Sequence, residues 1–392
     1  MKKKQPNNAN FAPQTRIVTA GREFTEHGFV NPAVYRASTV LFPTAQSLFD
    51  YGQDYTYGRK GTPTSRALES AIATVEGGFA TKVCSSGLAA ITTTLLAFLK
   101  AGDHVLVTDT AYLPTRQFCE GMLKRLGVET TYYDPGLGAA IAGLIRPNTR
   151  VIYTESPGSQ TMEMQDIPAI AEAAHAKGAI VMIDNTWSAG QYFKAFEHGC
   201  DVSIQAATKY FVGHSDAMLG CITCNEATWP QLKEAFEQLG QFAGPDDMYL
   251  ALRGIRTLDV RLERHMKSAL EMADWLRGRD EVAEVLYPAL PNAPGHTLWK
   301  RDFTGASGLF SVVLNTDDFK AAAAMLDGLE LFGMGFSWGG FESLCIPFRP
   351  QRTVTPWTRK GVCLRFHIGL ESPDDLKADL AAGFARLNAA SA

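Results

Sequence analysis

Apolar residues at helical spacing alternate, from Thr64 onward, with short runs that are apolar at almost every position and rich in β-branched side chains. The first pattern predicts helices over 65–76, 88–100, 115–126 and 167–177, and the second predicts strands over 104–108, 128–133, 150–154 and 179–184. Continuously apolar strands are buried on both faces, and their alternation with helices predicts a mostly parallel sheet between helical layers. A longer helical run over 246–277 carries Leu250, Leu252, Ile255, Leu258, Val260 and Leu262 among many charges. It leads into strands over 282–286, 308–314 and 362–368 and helices over 319–326 and 374–387. The reading is therefore an α/β domain over 61–245 followed by a smaller C-terminal α+β domain over 246–392, entered through the long linking helix. Residues 1–60, rich in Pro, Asn, Gly and Tyr, show no sustained helical period and read as an extended arm that packs on another surface.

Composition agrees with two packed domains, because 392 residues exceed what one core usually serves, and 46% hydrophobic with 20% charged residues is ordinary for a folded chain. The net charge of −4, with scattered basic residues, argues against nucleic acid or an anionic membrane as partner and leaves small molecules. No apolar run of about 18 residues predicts a membrane span, and Lys2–Lys4 lead into no apolar segment of a secretory signal. The seven cysteines are odd in number and mostly set among apolar neighbours, so they read as reduced thiols of a cytoplasmic protein. Cys221 and Cys224 form a lone CxxC in a strand-like stretch, with no second pair to make a metal site.

Two residues stand out chemically. In IVMIDNTWSAG (180–190) an apolar run stops at Asp184, which places a carboxylate at the carboxyl end of a strand, where ligands of open α/β sheets bind; an Asp there also serves to cap a turn. In DVSIQAATKYFVGHSDAMLG (201–220) Lys209 follows another strand candidate among small and apolar residues. A desolvated lysine is held towards its neutral form, and a neutral amine forms a Schiff base with an aldehyde. Pyridoxal 5′-phosphate (PLP) is such an aldehyde, and its ring nitrogen needs a carboxylate that Asp184 would supply. Its phosphate suits backbone amides at a helix start, and Ser85, Ser86 and Gly87 precede an apolar helix, with the Thr208 hydroxyl beside Lys209 as a further donor. Ser86 is equally suited to capping that helix. Gly333, Gly335 and Gly339 imitate a dinucleotide fingerprint, but no βαβ start surrounds them.

The motifs YTYGRKGTPT (55–64), SSGLAA (85–90), DTAY (109–112), ESPGS (155–159), IDNTW (183–187), QAATKYFVGHSDAMLG (205–220), FSWGGFESL (336–344) and LRFHIGLES (364–372) occur in order. With them the chain resembles the Cys/Met-metabolism PLP-dependent enzymes of fold type I, aspartate aminotransferase-like in architecture, and among them the cystathionine β-lyase group. The resemblance implies that Lys209 carries the cofactor and Asp184 faces its ring nitrogen. It implies that Tyr112 stacks on the ring and orients or activates the substrate amine, and that Gly87, Leu88 and Thr208 hold the phosphate. Tyr57 and Arg59 resemble residues that reach the phosphate of a neighbouring subunit, so at least a dimer, and a homotetramer in the group's usual form, is implied. Arg365 would clamp the substrate α-carboxylate with its planar fork, while Ser337, Trp338 and Tyr57 would line the substrate.

Members acting at the γ-carbon commonly have Glu and Leu where this chain has Phe336 and Trp338, and Ser159 stands where an Asn is more usual; both departures follow the β-lyase pattern. The implied reaction is Cα deprotonation by Lys209 and departure of thiolate from Cβ, with Lys209 or Tyr112 protonating it. Cystathionine would give homocysteine, pyruvate and ammonia, as in methionine biosynthesis. Lys60 and Gln117 stand near positions where some β-lyases use Arg and Asp, which leaves cysteine and other S-conjugates as substrates beside cystathionine. The alternatives are a γ-lyase, a γ-synthase or a cysteine desulfhydrase. Intact Lys209, Tyr112 and Arg365 argue against a non-catalytic regulatory protein of the same fold.

Overall fold

The computed structural model describes residues 11–391, so the basic start at Lys2–Lys4 lies outside the described residues. A first sheet contains β1 (Ala80–Cys84), β2 (His104–Thr108), β3 (Glu129–Tyr133), β4 (Thr149–Glu155), β5 (Ile180–Asp184), β6 (Val202–Gln205) and β7 (Gly220–Cys224). A second contains β8 (Val282–Leu286), β9 (Leu309–Leu314), β10 (Leu344–Phe348) and β11 (Cys363–His367). The first has the order β1-β7-β6-β5-β4-β2-β3, parallel from β6 to β3, with β7 antiparallel to both its neighbours. The second is antiparallel, in the order β10-β11-β9-β8. This is the fold type I arrangement, a mostly parallel sheet between helices with a small antiparallel sheet.

Alternation within the strands explains the layers. Leu106, Ile152 and Ile183 face one core, while Val105, Val107, Val151 and Met182 face another under the helix Gly87–Phe98. The first core continues without interruption to Phe310, Leu364 and Phe366 of the second sheet. Burying both faces of the parallel strands is what makes their sequences read as unbroken apolar runs.

Several elements depart from the sequence reading. The single helix expected over 246–277 is two, Pro245–Ile255 and Leu258–Arg277, with Thr257 at φ −111°, ψ 12° between them. Just before the break, the Gly254 backbone packs so closely on the Phe211 and Val212 carbonyls that any Cβ would overlap them. The arm contains helices Pro13–Thr19 and Ala45–Phe49, the second capped by Thr44. Strand β1 escapes a hydrophobicity criterion because Lys82 interrupts it, its amine 3.4 Å from Glu69. Strand β10 holds Pro347, tolerated because β10 is an edge strand. The helix His296–Asp302 was also not predicted. The helix predicted over 115–126 is helical throughout 113–125 but irregular, with an α-helical start, Leu113–Phe118, followed by a π-helical turn, Cys119–Leu123. All seven cysteines are free and buried, and no metal-binding cluster is present among the described residues. No described helix is long and apolar enough to cross a membrane.

The topology puts chemistry on one edge. Strands β1, β2, β4, β5 and β6 run the same way, so Cys84, Thr108, Glu155, Asp184 and Gln205 end together and the loops after them gather there. Gly220, where β7 begins, packs on the carbonyl of Ser86, leaving no space for a side chain. We expect Gly220→Ala to cost about 1–3 kcal/mol, as overpacking does. It should also displace the start of the helix Gly87–Phe98, so thermal unfolding and cofactor retention on dialysis are expected to fall together.

Candidate active site

Lys209 lies in the turn that follows β6, its amide bonded to Ala206 O at 3.0 Å and its carbonyl accepting from Gly213 N at 2.8 Å. Its amine donates to Ser337 Oγ at 2.8 Å and sits 5.3 Å from the centre of the Trp338 ring. Burial, helped by the positive Arg365, pulls the amine's pKa down to about 8 despite the opposing pull of Asp184. A group so placed is a neutral base over much of the mildly alkaline range.

Asp184 ends β5, and its Oδ1 accepts from the Thr186 amide at 3.1 Å and the Thr186 hydroxyl at 2.6 Å. Oδ2 has no protein donor among the described residues. Burial raises the pKa of this carboxyl, while Thr186 and then Lys209 act to lower it. In register beside it, Glu155 ends β4. Burial and the charge of Asp184 push the Glu155 carboxyl well above the usual range, and its Oε2 accepts from the Tyr112 amide at 2.7 Å. Tyr112 opens the helix Leu113–Phe118, and burial, then Asp184 and Glu155, raise its phenol pKa.

Ser86 caps the helix Gly87–Phe98, its Oγ accepting from Ala89 N at 3.1 Å and its carbonyl from Ala90 N at 3.0 Å. That leaves the Gly87 and Leu88 amides as the outward donors of the helix start. A Cβ on Gly87 would come within 2.6 Å of Ala206 Cβ, so only glycine lets the helix start come this close to the loop carrying Lys209. Thr208 differs from expectation: its hydroxyl donates to Leu219 O at 3.0 Å and accepts from Leu219 N at 2.9 Å. Its single proton is thus engaged by the loop.

Arg365, on β11, is buried, and its guanidinium donates to the carbonyls of Gly335 at 3.0 Å, Phe336 at 3.1 Å and Ser337 at 3.1 Å. Its Nε is buried with no partner, and burial lowers its pKa to about 10. The same loop is pressed on Lys209 by Gly339, at φ +86°, where a Cβ would stand 3.1 Å from Lys209 Cα; the Gly339 amide donates to His367 Nε2 at 3.1 Å. The structure therefore groups Lys209, Asp184, Tyr112, Arg365, Ser337 and Trp338, with the Gly87 helix start against the lysine loop. Tyr57 and Arg59 make their contacts elsewhere: Tyr57 is half exposed and bridged to Thr39, and Arg59 donates to Glu237 O at 3.0 Å.

Sequence reasoning missed three contributors. Glu155 ends an apolar strand as abruptly as Asp184 does, a signal that was available. Thr186 lies two residues beyond Asp184. Asp109 is fully buried and bonds Arg116 at 3.0 Å, Arg352 at 3.2 Å and the Thr353, Val354 and Thr355 amides at 2.8, 2.9 and 3.2 Å. Burial pushes its carboxyl up, but these donors outweigh it and hold the pKa below the usual value.

A desolvated amine, a half-buried carboxylate with an open oxygen and a helix start stripped of side chain meet the needs of PLP's aldehyde, ring nitrogen and phosphate. Fold and site together define a PLP enzyme of fold type I. The chain belongs to the Cys/Met metabolism PLP-dependent enzyme family, whose model matches residues 14–385. A cystathionine beta-lyase of Salmonella typhimurium is 47% identical over 388 residues, covering 95% of this chain and 98% of that one. An L-alanine/L-glutamate racemase of Wolbachia pipientis is 40% identical over 390 residues, covering 95% and 96%. The structure of cystathionine gamma synthase from Xanthomonas oryzae pv. oryzae in complex with cystathionine has a TM-score of 0.89 to this chain at 31% identity, covering 97% and 99%.

In the cofactor-free protein, the rate of imine formation with an added aldehyde should rise through about pH 8 as the Lys209 amine loses its proton. Asp184→Asn removes the charge that favours the ammonium form, so the midpoint should move lower. Stopped-flow absorbance across pH measures both, and a wild-type midpoint near the ordinary lysine value of about 10.4 would contradict the desolvation argument.

Proposed function

We propose that this chain is a carbon–sulfur β-lyase that converts cystathionine, or a related cysteine S-conjugate, to a thiol, pyruvate and ammonia. The observation that carries this reading is the depressed Lys209 amine placed with the half-buried Asp184 carboxylate at one sheet edge. PLP, when bound, supplies an electron sink for the pair left on Cα as its proton departs.

Lys209 is the residue that holds the cofactor and, once released, takes the Cα proton. Ser337 keeps the free amine in place, and Asp184 holds positive charge at the ring nitrogen. The Gly87 and Leu88 amides hold the phosphate, with Thr208 joining them only if its proton turns from Leu219 O. Arg365 offers its positive charge to the substrate α-carboxylate, while Trp338 walls the side near the lysine. The Cβ–S bond breaks with its electron pair going to sulfur, and Lys209 or Tyr112 returns a proton there. The remaining three-carbon fragment takes up water to give pyruvate and ammonia.

Tyr57 and Arg59, remote from their own Lys209 cluster, serve the site of a second copy. In support, the arm exposes Phe29, Leu41 and Phe49, apolar surface that a partner would cover. The assembly is a cytoplasmic homotetramer of shared-site dimers. Residues 1–60 form the arm, 61–245 the PLP-binding domain and 246–392 the C-terminal domain.

A second reading follows from the Wolbachia racemase, since removing a Cα proton and returning it on the other face needs the same lysine but no leaving group. One substrate panel separates the readings. Cystathionine should give pyruvate by mass spectrometry; 2-oxobutyrate would indicate γ-elimination, and loss of optical purity in alanine without keto acid would indicate racemisation. Lys209→Ala should lose at least about 10²–10⁴-fold in turnover together with the bound-cofactor absorbance.

A further inference from the structure

Glu155 is a half-buried carboxylate at the site edge to which the proposed reaction assigns no task. Its main chain is fixed by Gln165, whose Nε2 donates to Glu155 O at 2.7 Å, and Gln165 Oε1 in turn accepts from Tyr133 OH at 2.8 Å. Its side chain reaches across to the Tyr112 amide at 2.7 Å. Tyr112 has φ −46° and ψ 130°, an extended conformation at the mouth of a six-residue helix, and its carbonyl accepts from Thr115 N at 2.9 Å and Arg116 N at 3.2 Å. The helix thus holds the carbonyl side of the Tyr112 turn, and Glu155 holds its amide side.

We propose that Glu155 is a positioning residue for the reaction, anchoring the Tyr112 backbone so that the phenol is presented to the site with Lys209, Asp184 and Arg365. This rests on the reading of Tyr112 as a residue of the reaction. The anchor requires an acceptor oxygen and no net charge. Burial beside Asp184, which drives the Glu155 carboxyl towards its neutral acid, agrees with that requirement. Glutamine matches the neutral acid in size and keeps an acceptor; leucine matches it in size and keeps none.

The test compares Glu155→Gln, Glu155→Leu, Tyr112→Phe and the Leu/Phe double variant as holoenzymes. Hydrogen exchange followed by mass spectrometry reads the anchor independently of activity. In Glu155→Leu the Tyr112 amide should exchange about tenfold faster, as loss of one hydrogen bond implies, with the sheet unchanged, while Glu155→Gln stays protected. With cystathionine, Glu155→Leu should lose on the order of 10²-fold in kcat, more than any change in KM, as small misplacements of reacting groups do, and Glu155→Gln should recover most of it. The double variant should fall no further than the worse single one, because both changes remove the same phenol. Equal damage from Gln and Leu, fully multiplying losses, or unchanged exchange at Tyr112 would each overturn the proposal. If wild type makes no keto acid, the β-lyase reading fails while the exchange result still judges the anchor.

Discussion

Parallel strands ending at one edge bring an amine and two carboxylates together in half-buried positions, where they do not all keep the charge they would have in water. Charge there is expensive unless paired, so each group's protonation state is set by its neighbours. Lys209 falls towards the free amine, and Glu155 is driven towards the neutral acid. Asp184, with two Thr186 donors and a nearby amine, is the carboxylate best placed to stay ionised and hold a cation. Solvent reaches the edge from one side only, because below it β2, β6 and β7 are buried throughout and β4 and β5 nearly so. The apolar character of the strands and the reactivity of the site are thus one property of the sequence.

The second sheet acts on this edge through a loop. Arg365 spends its guanidinium on three consecutive carbonyls, Gly335 to Ser337, and those bonds set where Ser337 Oγ meets the lysine. Gly339 then brings backbone against Lys209, where a side chain would not fit without displacing it. The residue proposed to read the substrate carboxylate is therefore also the one that shapes the loop holding the base. Losing it would disturb both functions together.

The fold was legible wherever burial was complete. The runs at β2, β4 and β5 are apolar because both faces meet cores, and Asp184 and Lys209 were visible as polar residues where such runs stop. Lys82 in β1 and Pro347 in β10 hid two strands, both at sheet edges, where a strand tolerates what a central one does not. The break at Thr257 was illegible because the apolar spacing runs on through it, with Leu252, Ile255, Leu258 and Leu262 buried on both sides. At the site, Ser337 and Trp338 entered only by resemblance, since no local pattern shows that a distant loop folds onto Lys209. Glu155 carried the same strand-end signal as Asp184, yet was read only as part of ESPGS.

Asp109 shows why such carboxylates matter beyond the reacting atoms. It opens the turn after β2, three positions before Tyr112, and gathers Arg116, Arg352 and three consecutive amides of the segment between β10 and β11. An ion buried this completely is tolerated because its oxygens are surrounded by donors, and removing either arginine would leave it without part of the positive charge that offsets its burial. Asp109 thus ties the Tyr112 turn to the chain leading into Arg365, while Glu155 ties it to β4. Tyr112 is held from the second sheet on one side and from the first on the other, so its place depends on both sheets keeping their relation.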